Sequence, residues 1–224
     1  PARLSDADHL RVSNAVHAAE AHSAGEIVTI LTDQSDSYAD IALVWSAFVA
    51  FLALMALSIA PDFYLGLYDR LSGGWVQQWL PRQLFAVALV VAVLKFTGMW
   101  LLQLWRPLRL LLVPAPVKHA RVRERAVTCF KVGAERRTHG RTGILIYLSM
   151  AEHRAEIVAD EAIASKVSGE VWGEAMAAML GHIREGRVAE GMSAAVERVG
   201  AVLAEHFPRD AADMNELPDR LIEV

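Results

Sequence analysis

Three acidic residues follow two short apolar segments that have the composition of β-strands. Asp33 and Asp36 come soon after residues 26–31, and Glu152 follows residues 143–150. If the two segments are parallel neighbours, their carboxyl ends meet at one edge of a sheet, where open α/β sheets usually bind ligands. Carboxylate oxygens suit Ca²⁺ or Mg²⁺, and such a metal could hold a phosphate ester for hydrolysis. The alternative is that these acids only solvate turns next to a membrane.

Other kinds of chemistry have little support in the residue pattern. The sequence lacks G-x-S-x-G, G-x-x-x-x-G-K-[ST], H-E-x-x-H and Cys-x-x-Cys, so the common serine-hydrolase, P-loop and zinc-site signatures are missing. The single cysteine, Cys129, excludes an internal disulfide framework and a multi-cysteine metal site. The net charge of −4 is small and mixed in sign. It gives no indication of a nucleic-acid partner.

A strongly apolar stretch interrupts the elements that must position the three acids. The chain is 54% hydrophobic, but the excess is concentrated between Ile41 and Val113. Residues 41–60 and 84–105 are each long enough to cross a bilayer core of about 30 Å at about 1.5 Å per residue. They predict a transmembrane hairpin. For residues 41–60 the alternative is a buried helix of a soluble protein, which would usually show a polar stripe.

Lys95 is the one charged residue deep within the second predicted span. The first span carries no acid that could neutralise it. A lysine at the centre of a span costs roughly 2.5–3.5 kcal/mol, which the apolar neighbours can offset. Lys95 could therefore be an oligomer contact, a contact to a lipid phosphate or part of a polar cavity. Alternatively, its side chain snorkels toward the interface from a shifted or tilted helix.

Aromatic and basic residues flank the predicted spans. Trp75 and Trp79 contribute to an aromatic density typical of the headgroup zone. Six basic residues follow the second span within residues 106–125, against two in the loop between the spans. This asymmetry predicts that both termini lie inside, and the lack of a signal-peptide pattern at the N-terminus agrees. The basic group, expected to meet anionic headgroups, consists of Arg106, Arg109, Lys118, Arg121, Arg123 and Arg125.

The sheet is predicted from the order of its strands. Residues 26–31 form a strand, a long crossover with a helix follows, and residues 144–148 form the next strand, which is the pattern of a parallel pair. Residues 154–160 follow after a short turn and predict a hairpin. Two membrane crossings return the chain to its starting side, so the halves of the sheet can meet. The expected fold is α/β, with a small central sheet flanked by amphipathic helices and an inserted transmembrane hairpin.

The predicted organisation has four parts. Residues 1–40 form the first part of the α/β domain, and residues 41–105 form the hairpin. Residues 106–208 complete the domain. Residues 209–224 are expected to be a flexible tail, although its end, "LPDRLIEV", could also dock on a partner.

Several segments together resemble one known family. "TGILIYLSMAEHRAEIVADEAIASKV", a helix with a tryptophan, "REGRVAEGMSAAVERVGAVLAEHF" and "GEIVTIL" are similar to the TPM domain family. That family is named after a thylakoid-lumen acid phosphatase, a photosystem II repair protein and a nematode modulator of acetylcholine receptors. The resemblance implies an α/β sandwich, and it extends to a bacterial membrane branch with a hairpin inside the domain.

The chain departs from that family in two places. Glu152 and His153 stand where many members have an acid pair, and "VADEAI" stands where many have a Gly-Tyr-Gly-type segment. Both departures weaken a transfer of phosphatase activity or calcium binding.

Two functions therefore stay open. The first is an integral protein of the bacterial inner membrane, with both termini and the TPM-like domain in the cytoplasm, that acts as a tethered scaffold or regulatory module. Its partners would be membrane lipid and an unidentified membrane protein complex, with homo-oligomers forming through the hairpin. The second is a Ca²⁺- or Mg²⁺-dependent, acid-phosphatase-like enzyme that uses Asp33, Asp36 and Glu152.

Overall fold

A computed structural model describes residues 4–73, 79–133, 142–209 and 219–224 of the chain. The described residues form nine helices and four strands. In chain order the elements are α1 (Asp6–Glu20), β1 (Glu26–Thr32), α2 (Ala39–Ile59), α3 (Pro61–Ser72), α4 (Pro81–Leu102), α5 (Arg106–Leu112), α6 (Ala115–Gly133), β2 (Gly143–Ser149), β3 (Arg154–Ala159), α7 (Glu161–Ala164), α8 (Gly169–Arg184), α9 (Val188–His206) and β4 (Ile222–Glu223).

The strands form a four-stranded sheet in the order β3-β2-β1-β4. β1 and β2 are parallel, with Ile27 opposite Ile144 and Leu31 opposite Leu148. β2 and β3 form an antiparallel hairpin. The parallel pair, the β-hairpin of residues 143–160 and the α/β fold class predicted from the sequence are therefore confirmed.

Helices cover both faces of the sheet, which explains why β1 and β2 are apolar runs rather than alternating patterns. Every residue of both strands is buried. Ile27 and Leu31 face a core formed with α1, α8 and α9. Val28 and Ile30 face a second core, which includes Phe130 of α6. The apolar stripes that the sequence shows on these helices are thus packing surfaces.

The chain forms two compact units. Pro1–Asp36 with Ala115–Val224 makes the first, which holds the sheet, and Ser37–Pro114 makes the second. The finer division at residues 40, 105 and 208 stays a prediction.

In the second unit, α2 and α4 are both long and apolar enough to cross a membrane. Each helix begins a few residues before the predicted span. α4 starts at Pro81, whose fixed φ suits the first turn of a helix. It ends at Leu102. The next residue, Gln103, links the two helices, because its Nε2 donates to the Ala42 carbonyl at 3.0 Å and to the Ser46 hydroxyl at 3.3 Å.

The last residues of the chain differ from the predicted flexible tail. Ile222–Glu223 adds a short strand parallel to β1, and Leu221 is buried in the core beneath it. Residues 210–218 lie outside the described part. The apolar pair Leu221 and Ile222 allows one side chain to enter each core, which anchors the end of the chain.

Candidate functional site

A cavity of about 520 Å³ opens at the carboxyl edge of the sheet. The parallel strands β1, β2 and β4 all end here, as expected for the ligand edge of an open α/β sheet. Segments at the starts of α1 and α9 complete the wall. The lining residues are Leu4, Asp8, Leu31, Thr32, Asp33, Met150, Gly186, Val188, Glu223 and Val224.

Backbone hydrogen bonds join the segments that follow β1 and β2. The Met150 N–H donates to the Thr32 carbonyl at 3.0 Å, and the Ala151 N–H donates to the Asp33 carbonyl at 2.9 Å. These bonds continue the parallel pairing past the strand ends. They fix the position of Asp33, which lines the cavity.

Glu152 stabilises the same edge of the sheet through two hydrogen bonds. Its carboxylate accepts from the Ser35 N–H at 3.0 Å and from the Ser149 hydroxyl. The side chain is buried, so these bonds replace water for a group that is costly to bury without partners. Ser35 also shares a 3.1 Å hydrogen bond with the Tyr147 hydroxyl, and burial raises the pKa of Tyr147.

The structure brings the predicted acids to one edge but gives them separate contacts. Asp36 pairs with Arg121 of α6, with 3.1 Å between Oδ2 and Nε. Glu152 binds the two serines. Within the described residues, no three His, Cys, Asp or Glu side chains form a group that could hold a metal ion. In this arrangement the three carboxylates do not fit a shared Ca²⁺ or Mg²⁺, and metal binding stays a prediction.

The end of the chain completes the cavity wall. The Val224 N–H donates to the Leu31 carbonyl at 3.0 Å, and the Thr32 hydroxyl donates to the Val224 carbonyl at 3.0 Å. His9 of α1 lies with its Nε2 3.0 Å from Glu223 Oε1. Sequence reasoning missed this wall because only two residues of β4 pair, too few for a strand pattern.

A second buried acid lies at the opposite edge of the sheet. Glu20, at the end of α1, accepts from the Ile27 N–H at 2.7 Å. Burial is the main cause that raises the pKa of Glu20 to about 9, and the nearby Glu26 and Asp219 also raise it. Glu20 therefore stays protonated at neutral pH. In the sequence Glu20 resembles an ordinary surface acid at a helix end, so nothing in the residue pattern indicated that it is buried.

The residues predicted to contact lipid have varied surroundings. Trp79 donates from its indole to Asp69 at 3.3 Å and packs edge-on against Tyr68. Trp75 lies outside the described residues. In the second unit, Lys95 and Arg106 are exposed, whereas Arg109 is half-buried. In the first, Lys118 is half-buried, and Arg121 is held by its ion pair with Asp36. Their contact with lipid stays a prediction.

Comparison with known proteins relates this fold to one family. Residues 109–202 match the family model of the TPM domain. The NMR structure of the BA42 protein from the psychrophilic bacterium Bizionia argentinensis is similar, with a TM-score of 0.56 and 16% identity over 99% of this chain and 95% of that chain. At that identity the likeness shows the fold alone. No curated protein matches the chain. The chain is therefore similar to the TPM domain over residues 109–202, and it shares the α/β fold of BA42.

Proposed function

We propose that the chain is a membrane-tethered interaction module of the bacterial inner membrane. In this proposal α2 and α4 anchor the protein, and the TPM domain regulates or scaffolds a membrane complex. The cavity at the carboxyl edge of the sheet is the binding site.

The contacts of Glu152 carry this proposal. A catalytic or metal-binding carboxylate must direct a lone pair into the space where its ligand binds. Glu152 and Asp36 do not line the cavity: the two oxygens of Glu152 accept from Ser35 and Ser149, and Asp36 pairs with Arg121. These acids thus hold the edge of the sheet in shape, as a binding site on a rigid scaffold requires.

The cavity favours a ligand that is apolar and positively charged. Leu4, Leu31, Met150 and Val188 contribute apolar surface. Three acidic residues, Asp8, Asp33 and Glu223, also line the cavity; Asp8 bonds to Ser5 and Glu223 pairs with His9. A segment of a partner protein with a lysine or arginine next to an apolar side chain would match both features.

The distribution of basic residues supports an orientation with both termini in the cytoplasm. Six basic residues follow α4 within residues 106–125, whereas only Arg70 lies between α2 and α4 and Arg82 lies in the first turn of α4. Protease added to sealed, right-side-out vesicles should then cut near Gly73 and spare the TPM domain. Cleavage within the domain instead would reverse the orientation.

Photo-crosslinking in the source membrane tests the interaction module. Benzoylphenylalanine in place of Val188, which lines the cavity, should give one discrete adduct with a membrane protein. The matched position is Lys131, which is exposed on α6 and does not line the cavity; it should give none. Asp33→Lys should abolish the adduct at position 188, because it reverses the charge of the wall. Equal labelling at both positions would contradict the proposal.

The metal-dependent phosphatase remains a second candidate because Asp33 lines the cavity. The full-length protein in nanodiscs should hydrolyse no p-nitrophenyl phosphate above background, with Ca²⁺, with Mg²⁺ or with EDTA. Metal-dependent turnover that disappears in both Asp33→Asn and Glu152→Gln would establish the enzyme instead.

A further inference from the structure

Lys95 lies on an open, mostly apolar groove of the hairpin. The groove has a volume of about 600 Å³ and is lined by Val49 of α2 and by a stretch of α4. The α4 residues are Leu94, Lys95, Gly98, Met99, Leu101 and Leu102. Leu94 and Leu101 are well exposed beside Lys95. The groove is therefore an unpartnered surface with a single charge in it.

Lys95 lies far from either end of the hairpin. Val49, which shares the groove, is ten residues from the start of α2 at Ala39, or about 15 Å at 1.5 Å per residue. Lys95 itself is seven residues from the end of α4 at Leu102, or about 10 Å. If the hairpin spans a bilayer, which is part of the proposed function, the ammonium group starts near mid-depth.

The geometry of the helix opposes snorkelling to the nearer surface. That surface is at the C-terminal end of α4. Side chains on an α-helix lean toward the N-terminus, because every Cα–Cβ bond tilts that way. The Lys95 side chain therefore starts in the direction of the more distant surface. A charged group held at this depth needs a counter-charge.

The described residues offer Lys95 no such counter-charge. No acidic side chain pairs with Lys95 within the described part of the chain. The one acid in α2 or α4 is Asp40, in the first turn of α2, about 13 Å along the helix from Val49. A second copy of the hairpin would bring no carboxylate to the depth of Lys95 either. A carboxylate at this depth would therefore come from a different protein.

The surface beside Lys95 accommodates a helix. A Cβ built on Gly98 would meet no atom within 4 Å, so another backbone can approach closely there, as small residues allow between membrane helices. Lys95 and Gly98 are three residues apart and share one face of α4. We propose that this face docks a transmembrane helix of another protein that carries an aspartate or glutamate near mid-span, and that its carboxylate pairs with Lys95.

The test uses the full-length protein in phosphatidylcholine vesicles and a labelled polyleucine peptide with one central Glu. Fluorescence energy transfer should show binding roughly tenfold tighter than that of the all-leucine peptide. Lys95→Leu should remove the preference, and Gly98→Leu should weaken binding by filling the groove. Thr97→Leu is the matched control, since Thr97 is exposed on α4 but does not line the groove. Lys95→Glu paired with a peptide carrying a central Lys should restore binding.

Three outcomes would overturn the inference. Equal binding of the two peptides would show an apolar groove without charge selection. Loss of binding when phosphatidylglycerol is added would assign Lys95 to a lipid phosphate. Self-association that Lys95→Leu abolishes would assign the groove to a second copy. Extraction of the protein by alkaline carbonate would refute membrane insertion, and with it the proposed anchoring, whereas the first three outcomes leave the anchoring intact.

Discussion

The Ser35 N–H donates to Glu152 Oε1 at 3.0 Å, although the two residues are 117 positions apart in the sequence. This bond joins the segments that follow the two parallel strands and fixes the candidate site. It also gives a predicted catalytic acid a structural role, which leads to the first prediction.

Glu152→Ala should destabilise the α/β domain by about 1–3 kcal/mol, because it leaves the Ser35 N–H and the Ser149 hydroxyl without their acceptor. Thermal unfolding of the full-length protein measures the loss. Glu205→Ala is the control, since Glu205 is exposed on α9. If Ca²⁺ raised the unfolding temperature of the wild type but not of Glu152→Gln, Glu152 would be a metal ligand instead.

Stability should fall as pH rises from about 5 to about 9. In this window the folded state keeps the proton on Glu20, whose pKa is raised to about 9, while the unfolded chain has released it. Glu20→Gln should remove a large part of this dependence and stabilise the protein at the alkaline end by a few kcal/mol. Chemical denaturation across the window measures both effects. A wild-type protein whose stability does not change with pH there would contradict the buried, protonated Glu20.

Two glycine substitutions should act in opposite directions. Gly200→Ala places a Cβ 2.5 Å from the Ala19 Cβ, so α9 and α1 must separate, at a cost of about 1–3 kcal/mol. Gly173→Ala on α8 meets nothing within 4 Å and should stabilise by about 0.5–1 kcal/mol through helix propensity. The pair is compared by thermal melts. Equal effects would mean that α1 and α9 are not in close contact.

Leu221→Ala should destabilise the domain by about 2–5 kcal/mol, because Leu221 is 4% exposed and belongs to the core. Val224→Ala should have little effect, because that side chain is 60% exposed. Denaturant titration distinguishes the two. If Leu221→Ala left the stability unchanged, the end of the chain would be the flexible tail that the sequence predicted.

Gln103→Leu should loosen the contact of α2 with α4 by about 0.6–2 kcal/mol. Its amide donates to Ala42 at 3.0 Å and to Ser46 at 3.3 Å within a buried site. Unfolding of the protein in detergent, followed by energy transfer between labels on the two helices, measures the change. Thr97→Leu on the exposed side of α4 serves as the control.

The fold was predictable to the extent that it depends on local patterns. Apolar runs indicated the strands, and the long crossover between residues 26–31 and 144–148 indicated their parallel pairing. The short β4 was not predictable, because two paired residues leave no periodic signal.

The sequence predicted where the candidate site lies, but not which contacts its side chains make. The rule for parallel strands brought Asp33, Asp36 and Glu152 to the correct edge. It could not tell that Arg121, on a helix distant in sequence, pairs with Asp36. Likewise, the burial of Glu20 depends on packing between elements and leaves no mark in the sequence around it.

The parallel pairing of β1 with β2 also means that β1 must wait for its partner strand during synthesis. A ribosome adds roughly 5–20 residues per second, so β1 leaves it on the order of ten seconds before its partner, 117 positions later. During that interval both apolar faces and both edges of β1 lack the elements that cover them in the folded protein. If the hairpin inserts into a bilayer as proposed, a chain whose insertion is slow would keep this strand exposed to chaperones and proteases for longer. The speed of insertion would then affect how much newly made protein escapes degradation.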